Sequence, residues 1–160
     1  MREDPRLQIK FRFGVPKAGW FPVTIVLHGR SREIFVSYTP NDALADFVAF
    51  LDAMLQGGLP TKCVWHCEPE QYEFGAQMDG ERLRFSCALW PDHRRCDGGS
   101  QPIFVKSGTA SQICLPLWRS FRALESRWQS PAYDQEWGRP FPTLAMNKLT
   151  EQVRLIKETQ

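Results

Sequence analysis

The chain has 160 residues, 42% of them hydrophobic and 24% charged, which is the balance of an ordinary globular protein. This composition excludes wholesale disorder, and the length predicts a single domain over residues 1–160. The 20 basic and 18 acidic residues are mixed along the chain and leave a net charge of +2. Such a balance indicates neither a nucleic-acid partner nor a membrane partner.

Targeting and redox signals point to the cytoplasm. The first residues are charged and contain no apolar signal segment, and no apolar stretch approaches the length that crosses a bilayer. The five cysteines are an odd number in a domain large enough to need no cross-links. We therefore expect a reduced, cytoplasmic protein.

Alternating apolar residues predict three strands at the start of the chain. Leu7 to Phe13 alternates apolar with polar side chains, residues 21–28 do the same, and the third strand runs from Ile34 to Tyr38. Polar turn residues lie between the second and third strands, so the three segments are expected to form a meander.

A helix is predicted directly after this meander. Thr39 is the expected N-cap, with Pro40 at the first helical position and Asp42 as the acidic partner at the third. An apolar stripe at helical spacing follows, and Gly57-Gly58 ends it.

The clearest hairpin signal is Asp79-Gly80, a dipeptide typical of type I′ turns. If these two residues form the loop, Phe74 faces Phe85 across the strands and every apolar residue meets an apolar partner. We expect Phe74 and Phe85 to be directly opposed on the buried face.

The second half of the chain predicts two further helices. Thr109 with Gln112 is a capping box for the first, which Pro116 should kink or delay, and Thr143 should cap the second. Residues 91–101 and 129–142 carry no regular signal. The element order predicts an α+β fold: an antiparallel sheet of about six to seven strands with helices packed mainly on one face.

Two clusters have residue types that bind zinc, but neither predicts a metal site. Cys63 and Cys67 share one face of a predicted strand while His66 points to the other, so the three do not converge. His93 and Cys96 have ligand-like spacing in a loop and lack two further ligands. We expect no metal and no cofactor.

No set of catalytic residues stands out, and we predict none. Cys96 is flanked by Arg94 and Arg95, which would favour a thiolate, but a loop is a poor platform for precise chemistry. Glu68 and Glu70 could act as paired acids in general acid–base catalysis, but the simpler interpretation is that they are solvent-facing residues of a turn. The alternative function is a small hydrolase or transferase that uses the His93/Cys96 loop.

The two irregular segments contain the best candidates for contact with another protein. Trp137 and Tyr133 are either core residues of a lid or exposed anchors, and we favour the lid for Trp137. Arg94 and Arg95 are the other predicted partner-binding residues. We expect residues 91–101 and 129–142 to lie close together and to flank the partner surface.

Three segments carry a resemblance to known proteins: residues 64–72 (VWHCEPEQY), 114–119 (CLPLWR) and 137–142 (WGRPFP). They are similar to a family of small, mostly uncharacterised bacterial proteins, and the likeness brings no known catalytic residues. In size and layout the chain also resembles the stand-alone immunity proteins that neutralise bacterial toxins.

This second resemblance implies a non-enzymatic binding protein whose partner is a toxin. Because the chain is slightly basic, we expect a toxin without a basic nuclease groove, or else an acidic patch on the first helix as the interface (Asp42, Asp46 and Asp52). A third alternative is a structural subunit of a homo-oligomer.

Overall fold

A computed structural model describes residues 4–95, 99–128 and 130–158 of the chain. A short 3-10 turn, Pro5–Leu7, comes first. In the described part of the chain the seven strands are β1 (Lys10–Phe13), β2 (Trp20–Leu27), β3 (Arg30–Ser37), β4 (Thr61–His66), β5 (Gln71–Asp79), β6 (Arg82–Trp90) and β7 (Gln101–Gly108). The helices of the same part are α1 (Ala43–Gln56), α2 (Ala110–Arg127), α3 (Pro131–Trp137) and α4 (Thr143–Glu158).

The strands form two antiparallel sheets, so the predicted α+β class is confirmed. Sheet A has the order β1-β2-β3 and sheet B the order β4-β5-β6-β7. The prediction of one sheet of six to seven strands is not matched, because β3 and β4 are neighbours without a hydrogen-bonded ladder. Their connection is α1 rather than a tight turn, and it carries the chain into a second sheet.

One aromatic cluster joins the two sheets to the helices. The ring of Phe47 on α1 lies 5.0 Å from Phe11 of sheet A and 5.0 Å from Phe74 of sheet B. The indole N–H of Trp65 on β4 donates a 2.9 Å hydrogen bond to the carbonyl of Ala43, at the start of α1, so this buried donor has a partner. The inner faces of both sheets therefore share a single core.

The free edge of β1 is covered by α2. Ser120 is buried, and its hydroxyl donates to the Pro116 carbonyl at 3.0 Å while accepting the Phe11 N–H at 3.0 Å. The predicted capping box of Thr109 and Gln112 is confirmed. The helix runs on through Pro116, so the start of α2 is not delayed.

The first predicted strand and helix begin later than expected. Leu7 is 41% exposed in the 3-10 turn, whose N-cap is Asp4, and β1 starts only at Lys10. The N-cap of α1 is Asp42 rather than Thr39, and its carboxylate accepts the Ala45 N–H. Aspartate is as good an N-cap as threonine and lies directly before the apolar stripe.

The β5–β6 hairpin is present, but its predicted register is wrong. Its loop is Gly80-Glu81, so Phe74 pairs with Cys87 and Phe85 with Ala76. Phe74 and Phe85 do share the buried face, where their rings stack at 6.2 Å as diagonal neighbours. Gly80 has a φ of +64°, the conformation that a type II′ turn requires at its first central position.

The last helix, α4, begins with Thr143 as its first residue, so Thr143 is not the predicted cap, and its hydroxyl donates to the Phe141 carbonyl at 3.3 Å. The helix buries Leu149 and Val153. It packs against α1 and α2, which in turn contact the two sheets. Among the described residues, no helix has both the length and the apolar character needed to span a membrane.

Candidate functional site

Trp137 and Tyr133, two of the four predicted partner-binding residues, are core side chains. Trp137 is 0% exposed and Tyr133 9%. The ring of Trp137 lies 5.3 Å from that of Phe21 and 6.4 Å from that of Tyr38. The segment 129–142, expected to be irregular, contains α3. The lid alternative is therefore correct for Trp137, and neither side chain is an exposed anchor.

The other two predicted residues, Arg94 and Arg95, lie on a tight turn directly after β6. The carboxylate of Asp92 accepts the backbone N–H of Arg94 at 2.8 Å and that of Arg95 at 3.2 Å. Arg94 is exposed and Arg95 is half-buried. This end of the predicted loop is therefore ordered by a local hydrogen-bonded turn.

Side chains of sheet B hold the guanidinium of Arg95 in place. It donates to a carboxylate oxygen of Glu73 at 2.6 Å and to the Gln71 side-chain carbonyl at 3.2 Å. Its central carbon also lies 4.5 Å from the centre of the Trp90 ring, within the range of cation–π attraction. Gln71 and Trp90 are directly paired across β5 and β6. We call these four residues the Arg95 platform.

A cleft of about 290 Å³ opens beside this platform, between the end of β4 and the turn that carries Arg94. Its lining residues are Pro40, His66, Glu68, Pro69, Glu70, Gln71 and His93. The Gln71 amide nitrogen lies 3.2 Å from Nδ1 of His66. A continuous polar chain thus runs from His66 through Gln71 and Arg95 to Glu73.

His66 is half-buried and its pKa is lowered from the ordinary value of 6.5. Burial is the main cause, and the positive charge of Arg95 acts in the same direction, whereas the charge of Glu68 opposes it. His66 is therefore neutral near pH 7, so its Nδ1 accepts from the Gln71 amide N–H and its Nε2 carries the proton and is a donor.

The cysteine and histidine clusters do not form a metal site among the described residues, where no group of three or more metal-binding side chains converges. Cys63 is on the inner face of β4 and pairs with Phe74, so His66 points to the opposite face as expected. The other half of the second pair, Cys96, lies outside the described residues.

The described thiols are all free, and burial makes them poor nucleophiles. It raises the pKa of Cys67 and of Cys114 to about 12. The pKa values of Cys63 and Cys87 are raised in the same way by burial. These thiols are therefore protonated at neutral pH.

The predicted acidic patch on α1 is not an open acidic surface. Asp42 serves as the helix N-cap, and Asp52 is 8% exposed. One oxygen of Asp52 accepts the Gln56 amide at 2.7 Å and lies 3.3 Å from the Lys148 ammonium. Two of the three carboxylates, those of Asp42 and Asp52, thus already have hydrogen-bond partners within the protein.

The two segments expected to flank one surface pack on different sheets. The Arg95 platform lies on sheet B, whereas α3 packs against β2 of sheet A. Arg139, just after α3, donates to the Tyr38 carbonyl at 2.9 Å. That residues 91–101 and 129–142 together flank one partner surface stays a prediction.

Three of the platform residues, Gln71, Glu73 and Trp90, were not predicted as site residues. Gln71 and Glu73 alternate with buried Tyr72 and Phe74, so their place on the outer face of β5 follows from the strand period. The sequence contains no signal that Arg95 folds back onto that face.

No family model, curated protein or solved structure matches the chain.

Proposed function

We propose that this protein is a non-enzymatic, cytoplasmic binding protein, an immunity protein that neutralises a cognate bacterial toxin by covering its active surface. The observation that carries the proposal is the Arg95 platform: an arginine fixed by Glu73, Gln71 and Trp90 next to a cleft. Arginine and tryptophan are the residue types that most often dominate binding energy at protein interfaces.

Preorganisation is the physical reason why this surface suits a tight partner. Ordering a long side chain on binding costs about 0.5–1.5 kcal/mol, and that cost falls when the side chain is already fixed. Arg95 also holds a φ of +54°, a conformation that non-glycine residues rarely adopt. Such backbone is found at binding sites where the surrounding structure enforces it.

The residues of the cleft beside the platform favour a partner of particular chemistry. Exposed Arg94 directly follows His93, which lines the cleft, and Glu68 and Glu70 line it as well. A toxin loop that presents a carboxylate toward Arg94, a hydrogen-bond acceptor toward Nε2–H of His66 and a donor toward Glu68 would fit this pattern. A basic nuclease groove would meet Arg94 with like charge and is disfavoured.

The proposal predicts a toxin gene next to the gene of this protein, and the test pairs the two gene products. Titration calorimetry should give a one-to-one complex, and Arg94→Ala should weaken it about tenfold or more, since a charged hydrogen bond contributes about 1.5–3 kcal/mol. Arg119→Ala on α2 removes an equally exposed arginine away from the turn and should leave affinity unchanged. Equal binding by Arg94→Ala and wild type, or a metabolic enzyme as the gene neighbour, would contradict the proposal.

A small enzyme is the second candidate, because both His66 and His93 line the cleft. Stoichiometry separates the two functions. Occlusion requires one equivalent of this protein per toxin molecule, whereas an enzyme that modifies the toxin would protect at a small fraction of an equivalent. Full neutralisation at substoichiometric amounts would therefore favour the enzyme.

A further inference from the structure

A second cleft, of about 580 Å³, lies between the tip of the β2–β3 hairpin and β7. Its volume is in the range of small-molecule binding sites. The lining residues are Ile25, Leu27, His28, Arg30, Ser31, Arg32, Ile103, Phe104 and Val105. Apolar side chains from two different sheets thus meet basic side chains from one hairpin.

The floor of this cleft is the core face of sheet A. Ile25 and Leu27 continue the inward row of β2, and they are 4% and 8% exposed. On the opposite wall, Phe104 of β7 packs within sheet B, where its ring lies 5.1 Å from that of Phe85 on β6. The apolar part of the cleft is therefore formed by well-packed, fixed residues.

Arg30 and Arg32 occupy core-face positions on β3. The register pairs Arg30 with Leu27 and Arg32 with Ile25, so both arginines belong to the inward row that continues with buried Ile34. Both are exposed because the cleft leaves this end of the sheet uncovered. Two arginines thus stand beside the apolar floor, on the same face of sheet A.

One hydrogen bond holds the Arg32 side chain in place, and its other N–H groups can donate to a ligand. Its Nε donates to the Tyr72 hydroxyl at 3.0 Å, which uses one of the five N–H donors of a guanidinium. Among the described residues no carboxylate forms an ion pair with Arg30 or Arg32. The lining of the cleft also contains no acidic residue.

We propose that this cleft binds a small amphipathic carboxylate, with its apolar body on Ile25, Leu27 and Phe104 and its carboxylate on Arg30 and Arg32. Guanidinium groups bind carboxylates through paired hydrogen bonds, and an apolar surround strengthens such bonds. The inference is independent of the proposed toxin binding, because its residues lie outside the Arg95 platform and its cleft.

Inward-pointing charges also protect exposed sheet edges against pairing with other chains. That role would account for Arg30 and Arg32 without any ligand, and it predicts no selective binding of an anion. The experiment below distinguishes the two roles.

Decanoate and decanol are suitable probes, since they share one apolar chain and differ in the charge of the head group. We expect saturable binding of decanoate by titration calorimetry, with methyl NMR shifts at Ile25, Leu27 and Ile103. Decanol should bind at least about tenfold more weakly, and Arg30→Gln should reduce decanoate affinity by a similar factor. Arg12→Gln, an exposed arginine on the other face of sheet A, is the matched control and should change nothing.

Several outcomes would overturn the proposal. These are equal binding of decanol and decanoate, shifts confined to other parts of the chain, or no binding of either probe at millimolar concentration. The last result would leave edge protection as the role of the two arginines. Because the Arg30 side chain is exposed and forms no hydrogen bond or ion pair with the other described residues, the Arg30→Gln variant should fold, and an unchanged melting temperature checks this.

Discussion

At the scale of single residues, Trp137 shows how one side chain joins several elements. It ends α3, contacts Phe21 of β2 and Tyr38 after β3, and is fully buried; its indole nitrogen has no hydrogen-bond partner among the described residues. An indole N–H without a partner costs part of the stability that the ring contacts provide. Its contribution is therefore mainly packing.

We expect Trp137→Ala to lower the free energy of unfolding by about 3–5 kcal/mol, because it leaves a large cavity under α3. Trp137→Phe should cost less, since it keeps an aromatic ring and removes the unpartnered N–H. Urea denaturation measures both. Leu144→Ala on α4 is the control: its side chain is 85% exposed, and its effect should stay within about 0.5 kcal/mol. Wild-type stability of Trp137→Ala would mean that Trp137 is not a core residue.

At the scale of elements, the β5–β6 hairpin shows what an alternating pattern does and does not determine. Moving the loop from Asp79-Gly80 to Gly80-Glu81 shifts the cross-strand partners by two residues. A two-residue shift keeps every side chain on its face, so apolar residues still meet apolar residues. The faces of these strands were therefore predictable, and the exact partners were not.

The start of α1 and the presence of α3 are two further differences between the sequence predictions and the structure. Thr39 and Asp42 are both good N-caps, and only the tertiary structure decides between them. For α3 the signals were in the sequence: Ser130 before Pro131 at the start and Gly138 at the end, with a φ of +84°. The Pro-rich and aromatic composition of the segment concealed a helix of 7 residues.

Two glycines provide a matched test of how elements meet. Gly19, just before β2, has a φ of +83°, and an added Cβ would lie 2.5 Å from the Tyr38 ring. Gly80 has a similar φ of +64°, with nothing within 4 Å of the same position. We expect Gly80→Ala to cost only the backbone strain of about 1–2 kcal/mol.

Gly19→Ala should cost at least about 3 kcal/mol, because the clash with Tyr38 adds to that strain. Unfolding free energies of the two variants measured under the same conditions give the comparison. Equal costs would mean that Tyr38 does not pack on Gly19 in solution. The backbone hydrogen bond from Gly19 to the Glu136 carbonyl, 2.6 Å long, ties the same point to α3.

At the scale of the whole molecule, the candidate site depends on contacts between distant parts of the chain. Arg94 and Arg95 were identified from residue type and their place in a long connection. The side-chain hydrogen-bond partners of Arg95 are 22 and 24 residues away along the chain, on a strand whose polar face did not indicate a binding site. Local patterns indicate where a loop is, and only the fold shows what the loop returns to.

The division into two sheets was hidden for a similar reason. Each strand, taken alone, carries the same alternating pattern whichever sheet it joins. The cleft at the tip of the β2–β3 hairpin is lined by residues of both sheets, from β2 and β3 of sheet A and from β7 of sheet B. The carboxylate cleft proposed above is thus a feature of the assembled molecule that no single segment predicts.

The measurement that tests the proposed toxin interface most directly is hydrogen–deuterium exchange of the protein alone and in complex with the toxin. Covering the Arg95 platform should slow exchange in residues 66–73 and 90–95, and leave α4 and the β2–β3 hairpin tip unchanged. Slowed exchange confined to α4 or to the hairpin tip, with residues 90–95 unaffected, would contradict the account.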